Sequence, residues 1–327
     1  MSTLRFLSSL TVAAALASTL AAADGDTRVA KWKDDKAAAF VLMFDDGCVS
    51  HVKNVIPELT KRGYTGTFYI NQGAGQYAAN KSFWEKDVPA AGFELGNHTL
   101  SHKGGATPAD IVKEITGANE AIRAATPALP WPRLVSWGQP GGIKKEAWTI
   151  TSDELKTALK DNLLIPRPDF GGRGATIAFK SGPDYVAHLD KAIKAGSMEC
   201  IIFHGVGGDW LAATMPQFLE LLDGMDARKD KLWVTGHIPA YQYATERDAA
   251  TVKVGEKGST KISLTLSCTA DPKLYDQPLT LVTSVPAAWT LCTVTQGKTS
   301  SEVTAKAGAL TFEALPGSEP ILITKKK

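Results

Sequence analysis

Between residue 37 and about residue 243, short apolar runs alternate with polar turns and with segments of helical periodicity. Alternating strands and helices favour parallel strands whose two faces are both covered. Seven or eight strands are predicted. The apolar runs are residues 40–44, 66–70, 93–95, 134–137, 162–165, 175–179, 200–203 and 232–235. The pattern predicts an α/β domain, and periodicity alone fits either a (β/α) barrel or an open doubly wound sheet.

The segments between these runs carry apolar residues at helical spacing. Ile111, Ile115 and Ile122 lie on one helical face, and Thr107 and Pro108 precede them as an N-cap and a first-turn proline. The same spacing predicts three further helices. They contain Val52 to Leu59, residues 185–195, and Phe218 to Met225.

The pattern changes after Arg247. Residues 253–327 are rich in Thr, Ser, Val and Leu, and they alternate between polar and apolar positions with Gly, Pro and Asp at the turns. This alternation is typical of a small all-β sandwich. We therefore predict a barrel domain at residues 24–247 and an all-β accessory domain at residues 248–327.

The N-terminal segment is typical of a secretory signal peptide. Arg5 precedes a short uncharged apolar stretch, and Ala21 and Ala23 fit the small-residue rule for cleavage after residue 23. No other segment is long and apolar enough to span a bilayer. We expect a secreted, periplasmic or cell-envelope protein without stable membrane insertion after cleavage.

Charge and cysteine content narrow the function classes. The 327-residue chain has 36 basic and 34 acidic residues, and its net charge of +2 disfavours a nucleic-acid partner. For Cys268 and Cys292, both in strand-like segments, a disulfide and two free thiols remain open. Cys48 and Cys200 are expected to be free.

Polar residues that suit metal chemistry follow several of the apolar runs. Asp45 and Asp46 end one run, His98 and His102 follow another, and His204 ends a third. Ligands bind at the carboxyl ends of parallel strands, so these residues are expected to meet. Imidazole nitrogens and a carboxylate suit Zn²⁺. Each motif alone also fits a simpler interpretation, namely a turn aspartate, surface histidines or a packed core histidine.

In this order, the segments FDDG, GFELGNHTLSH and CIIFHG resemble three motifs of the NodB-like polysaccharide deacetylases, carbohydrate esterase family four. The resemblance implies an irregular (β/α)7 barrel and a divalent metal, zinc or cobalt. It implies that Asp46, His98 and His102 bind the metal. It also implies that Asp45 is the general base and His204 the general acid. An acetylated polysaccharide or oligosaccharide is the implied partner.

The sequence departs from the family pattern at two motifs. The third motif usually has an arginine two residues before its proline, where this chain has Gly138. Arg167 or Arg173 is expected to orient the base instead. The fourth motif, a D-x-x-D-W type sequence that tunes the acid, is not recognisable. Asp169 or Asp209 is the candidate substitute.

Two further residues are expected near the substrate. Gly141, which follows Pro140, is the candidate for the backbone N–H that binds the oxyanion, and Trp210 is a candidate substrate contact. The resemblance extends over about residues 40–243.

Three functions remain to be compared. The first is a secreted, metal-dependent hydrolase that removes N- or O-acetyl groups from a polysaccharide. The second is a non-catalytic carbohydrate-binding or cell-wall module on a deacetylase-like barrel, against which the retention of both Asp45 and Asp46 argues. The third, an iron oxygenase with two histidines and one carboxylate, is disfavoured because such sites usually occupy all-β folds.

Overall fold

A computed structural model describes residues 23–326, so the predicted signal peptide, apart from Ala23, lies outside the described residues. The strands are β1 (Thr27–Val29), β2 (Ala38–Asp45), β3 (Thr67–Ile70), β4 (Glu94–Asn97), β5 (Val135–Trp137), β6 (Leu164–Pro166), β7 (Met198–Phe203), β8 (Leu232–Thr235), β9 (Ala250–Lys257), β10 (Lys261–Cys268), β11 (Leu279–Ser284), β12 (Leu291–Gln296), β13 (Thr299–Thr304), β14 (Ala309–Ala314) and β15 (Ile321–Lys325). The α-helices are α1 (Ile56–Arg62), α2 (Gly75–Ala79), α3 (Val88–Ala90), α4 (Pro108–Ala125), α5 (Ser152–Asp161), α6 (Gly182–Ala195), α7 (Met215–Asp226) and α8 (His237–Ala249).

Seven parallel strands form the sheet of the first domain. Their order is β6-β5-β4-β3-β2-β7, and β8 pairs with the first half of β2. An isolated parallel bridge between Gly174 and Ile202 joins the segment after β6 to β7. Because this bridge connects the two ends of the curled sheet, the domain is the irregular barrel that the family resemblance implied, not an open sheet.

The apolar run at residues 175–179 is not a strand, which corrects the upper count of eight. Only its neighbour Gly174 makes a bridge, and the run itself forms turns. Phe179 is buried against Tyr185 of α6, with ring centroids 5.0 Å apart. Ala175 is buried as well, whereas Ile177 is 51% exposed, so the run packs through one side only.

The predicted helices are confirmed. In α4, Thr107 and Asp110 form a reciprocal capping box that satisfies backbone N–H groups at the helix start, and Pro108 lies in the first turn. Helix α1 continues a π-helical segment, His51–Val55, that begins close to the end of β2. These helices pack their buried apolar residues against the barrel.

Two antiparallel sheets form the accessory domain. One has the order β13-β12-β15-β10-β9 and the other β1-β11-β14. Strand β1, which precedes the barrel in the chain, pairs with β11. The inward residues of both sheets, such as Leu264, Leu281 and Phe312, form one core with Tyr243 of α8.

Cys268 and Cys292 are free thiols, which resolves the open question about a disulfide. Cys48 and Cys200 are free and buried, as predicted. Among the described residues, no helix has the length and apolarity required to cross a membrane.

Candidate metal centre and catalytic site

The barrel brings the predicted site residues together at the carboxyl ends of four strands. Asp45 is the last residue of β2, and Asp46 follows it. His98 follows β4, Arg167 follows β6 and His204 follows β7. All four strands are parallel and belong to one sheet, so these ends lie on the same rim.

Asp46, His98 and His102 form a group that could hold a metal ion. One donor atom from each residue lies within 4.8 Å of the others. Asp46 Oδ1 is 3.4 Å from His98 Nε2 and 3.5 Å from His102 Nε2. Ligands about 2.0–2.1 Å from a tetrahedral zinc ion would be roughly 3.3 Å apart. The spacing of the donors therefore fits a tetrahedral cation.

Hydrogen bonds orient the first histidine of this group. His98 Nδ1 is 2.6 Å from the carbonyl oxygen of Gly138. Because a carbonyl only accepts, Nδ1 carries the proton, and Nε2 keeps a lone pair that could bind a cation shared with Asp46. The Asn71 amide also donates to the His98 carbonyl at 2.6 Å and fixes the backbone behind the ring.

The backbone is strained at the metal-binding group. Asp46, Thr99 and His102 have φ values of 70°, 62° and 61°, in the left-handed region that non-glycine residues rarely adopt. Strained backbone clusters at functional sites, where the surrounding structure has to hold it. The Glu114 carboxylate supplies part of this support by accepting from the Ser101 amide at 2.7 Å.

Asp45 is buried and forms a bidentate ion pair with Arg167. Both guanidinium nitrogens Nη1 and Nη2 donate to its carboxylate, the second at 2.7 Å. Burial raises the pKa of Asp45, but the Arg167 charge, then His98 and the Arg167 hydrogen bonds, reverse that effect and leave the pKa below its usual value. Asp45 is therefore an ionised carboxylate held in one orientation beside the metal-binding group.

Two glycines make room for this arginine and for the Tyr69 ring beneath it. The Arg167 guanidinium lies 4.3 Å above the centre of the Tyr69 ring. A Cβ atom at Gly138 would be 2.9 Å from both Arg167 Cζ and Tyr69 Cδ1, and one at Gly96 would be 2.7 Å from Tyr69 Cδ1. The glycine at position 138 thus leaves the space that the arginine from β6 fills.

His204 faces the Asp46 oxygen that His98 and His102 do not approach. Its Nε2 is 3.7 Å from Asp46 Oδ2 and 4.0 Å from Asp45 Oδ2. The ring of Phe170 packs edge-on against it at 5.3 Å between centroids. Behind it, His51 Nε2 donates to the His204 carbonyl at 2.7 Å.

Trp210 reaches the site through its indole nitrogen. Nε1 donates to Asp46 Oδ2 at 2.9 Å, on the carboxylate oxygen that the histidines of the metal group leave free. The residue is 44% exposed, and its neighbour Leu211 is 52% exposed. An apolar surface therefore borders the metal-binding group.

The other expected residues have different partners. Arg173 Nε is 3.4 Å from Glu199, so Arg167 and not Arg173 pairs with Asp45. Asp169 is exposed and accepts from the Gly171 amide, and Asp209 accepts from the Ser50 amide at 2.7 Å. Asp169 therefore stabilises its own turn, and Asp209 joins its loop to the segment after β2. The role of either aspartate in tuning His204 stays a prediction.

Gly141 lies in an exposed loop after β5, next to the buried Pro140. Its proposed contact with an oxyanion stays a prediction.

Sequence reasoning missed the support beneath Arg167. Tyr69 OH is 2.7 Å from Ser136 Oγ, which is in turn 2.7 Å from His237 Nδ1, and all three residues are buried. Tyr69 and Ser136 occur inside short apolar strands, where single polar groups give no signal. Their alternation within the strands could have indicated that they face the barrel interior.

Residues 33–153 match the family model described as polysaccharide deacetylase. Over this segment, the chain is similar to polysaccharide deacetylases. The matched segment contains Asp45, Asp46, His98 and His102, and the remaining rim residues come from the strands that follow it.

Two curated relatives and one solved structure show the extent of the similarity. A chitooligosaccharide deacetylase of Bradyrhizobium sp. (strain ANU 289) is 33% identical over 129 residues, which are 37% of this chain and 52% of that protein. A gellan lyase from Bacillus sp. is 23% identical over 312 residues, which are 83% of this chain but 12% of that protein. The chain therefore spans about half of one relative and a small part of the other.

A family 4 carbohydrate esterase from Streptomyces lividans, solved in complex with acetate, is 20% identical, with a TM-score of 0.45. The aligned part is 63% of this chain and 95% of that one.

Proposed function

We propose that the protein is a metal-dependent hydrolase that removes N- or O-acetyl groups from an acetylated polysaccharide. The observation that carries this proposal is the second carboxylate. Asp46 alone completes the donor group with His98 and His102, whereas Asp45 is held apart by Arg167 and still lies 3.9 Å from His98 Nε2. A metal site that only bound carbohydrate would not need this oriented, buried carboxylate. The match to the polysaccharide deacetylase family supports the same conclusion.

Asp46, His98 and His102 would hold the cation, most simply Zn²⁺, with Co²⁺ as a substitute of similar ligand preference. Two imidazoles and one carboxylate are a typical catalytic zinc set that leaves further positions open. When bound, the cation would lower the pKa of a water molecule and polarise the acyl oxygen.

Asp45 would act as the general base. Its carboxylate is ionised and oriented by two hydrogen bonds from Arg167, so a water molecule on the rim would meet an acceptor in a fixed position. The remaining lone pairs face the side of His98 and His204, where the nucleophile has to form.

His204 would act as the general acid, because its Nε2 lies near Asp45 Oδ2 and on the Asp46 oxygen that His98 and His102 do not face. A protonated His204 would donate from Nε2 to the leaving nitrogen or oxygen. Phe170 packs on its ring and excludes water from one side. The Gly141 N–H is proposed to stabilise the oxyanion, and the exposed Trp210 and Leu211 to contact the sugar.

The location of the protein is a proposal as well. The apolar segment before Asp24 has the sequence features of a signal peptide, so a secreted or cell-envelope enzyme is proposed.

The decisive experiment measures acetate release from a panel of N- and O-acetylated glycans with the zinc-loaded protein, beside Asp45→Asn and His98→Ala. Asp45→Asn should keep the bound metal, measured by elemental analysis, and lose activity by about 10³-fold, within the range for an essential acid–base group. His98→Ala should lose both the bound metal and the activity.

If the wild-type protein binds metal and glycan but releases no acetate from any substrate, the binding-module function replaces this one. Equal metal loss in both variants would disprove the division between ligand and base.

A further inference from the structure

The strongest unexplained feature is a buried polar column inside the barrel, beneath the catalytic rim. It consists of Tyr69 in β3, Ser136 in β5 and His237 at the start of α8. The two hydrogen bonds of the column are both 2.7 Å long, and its members are at most 2% exposed. Buried hydrogen-bonded networks of this kind are stabilising only when every member is satisfied.

The upper end of the column supports Arg167. The Tyr69 ring lies 4.3 Å below the guanidinium, a cation–π distance. Gly96 and Gly138 leave no spare space around the two side chains. A tilt of the Tyr69 ring would therefore move Arg167 and, through the bidentate pair, Asp45.

The lower end is fixed by α8. The His237 amide donates to Thr67 Oγ1 at 3.0 Å, and the Ile238 amide donates to Glu94 Oε2 at 3.0 Å, so β3 and β4 both hold the helix start. Burial, and then the Arg167 charge, lower the pKa of His237 to about 4. The ring is therefore neutral and has one nitrogen that accepts and one that donates.

The accessory domain holds the other face of α8. Tyr243 OH donates to the Ala30 carbonyl at 3.0 Å, and the Gln242 amide donates to the Leu274 carbonyl at 2.6 Å. Glu246 accepts from the Gln277 amide at 3.0 Å. The β-domain therefore clamps the helix that carries His237.

We infer that His237 is a positioning residue for the general base, acting through Ser136, Tyr69 and Arg167. This inference rests on the proposed function, in which Asp45 takes the proton of the nucleophile. It also gives α8 and the accessory domain a specific role, because they fix the lower end of the column that keeps Asp45 aligned.

The test compares Tyr69→Phe, Ser136→Ala and His237→Ala with the wild-type enzyme at saturating metal. Each should lower kcat about tenfold, since small misplacements of catalytic groups are costly, with KM and metal content unchanged. His237→Asn, whose amide can occupy the Nδ1 position, should restore most of kcat. The double variant Tyr69→Phe/His237→Ala should lose no more than either single variant, because both act through one path.

His188→Ala is the matched control. His188 is also a buried histidine with a backbone partner, the Cys200 carbonyl at 3.2 Å, but it lies on α6 outside the column. This variant should lose thermal stability without losing kcat.

The outcomes are distinct. Column variants that lose only stability, as the control does, with kcat as in the wild type, would overturn the inference. If the wild-type enzyme itself is inactive, the proposed function fails, and crystal structures of wild type and His237→Ala decide the inference. The inference about His237 then requires that Arg167 is displaced in the variant. An Arg167–Asp45 pair in the same position as in the wild type would refute it.

Discussion

The rim of the barrel and the accessory β-domain differ in which residues they bury. The rim buries charged and ionisable groups, and the β-domain buries apolar residues. At the rim, Asp45, Asp46 and His98 are buried charged or ionisable groups, and Asp46 and His102 have strained backbone. In the β-domain, apolar and exposed residues alternate, as in β10, where Ile262, Leu264 and Leu266 are buried between more exposed neighbours.

All six histidines of the chain precede residue 238, so none belongs to the β-domain sheets. Buried charges are costly unless they are paired or bind a ligand. The difference indicates that the buried ionisable groups of the rim lower the stability of the fold, whereas the apolar packing of the β-domain raises it. Changes at the two places should therefore have separable effects.

The largest expected effect at the rim, after loss of the metal group or of Asp45 itself, comes from Arg167→Ala. Removing the bidentate partner leaves Asp45 buried, unpaired and free to rotate, so turnover should fall roughly 10²-fold while metal content is kept. Acetate release and elemental analysis measure the two quantities.

Arg173→Ala is the control for Arg167→Ala, because Arg173 pairs with Glu199 instead. Its turnover should stay within about threefold of wild type, the level expected for a residue outside the chemistry. Equal losses of turnover in both arginine variants would remove the distinction between them.

A smaller effect on turnover, but a large one on stability, is expected in the β-domain. Leu264→Ala empties a fully buried site in β10 and should lower the free energy of unfolding by about 2–5 kcal/mol. Urea denaturation followed by fluorescence measures this loss, and kcat is measured at a temperature where the variant is folded. A strong decrease in kcat under these conditions would show that packing and chemistry are not separable.

Much of the fold followed from local patterns in the sequence. Helix α4 was predictable because its cap, its proline and its isoleucine spacing all agree, and the barrel strands followed from short apolar runs. The run at residues 175–179 was misleading because a turn segment that packs against α6 through Phe179 has the same apolar composition as a strand. The pairing of β1 with β11 gives no local signal, since its partner is more than 250 residues away.

The site was predictable only in part, for a similar reason. Asp46, His98 and His102 stand at strand ends, where topology brings side chains together. The choice between Arg167 and Arg173 depended on which side chain fits beside Gly138, a matter of contact distances between strands. Tyr69 and Ser136 were missed because a single polar residue does not stand out in a short apolar strand, and His237 because a lone histidine at the start of a helix has no distinctive pattern.

The smallest expected effect lies between the two regions, at Glu94, whose carboxylate accepts from the first turn of α8. Burial raises the pKa of Glu94 to about 7, although the Ile238 amide and Arg133 oppose the shift. A carboxyl group whose folded pKa exceeds its unfolded value of about 4.3 stabilises the fold when protonated. That stabilisation is complete below the unfolded pKa and is lost as the pH rises towards 7.

The thermal midpoint of the wild type should therefore fall by roughly 2–4 °C relative to Glu94→Gln between pH 5 and pH 8. Glu120→Gln, at an exposed position of α4, should run parallel to the wild type in the same calorimetric series. Parallel curves for wild type and Glu94→Gln would mean that Glu94 is ionised throughout, and that the junction of barrel and β-domain tolerates a buried charge as the rim does.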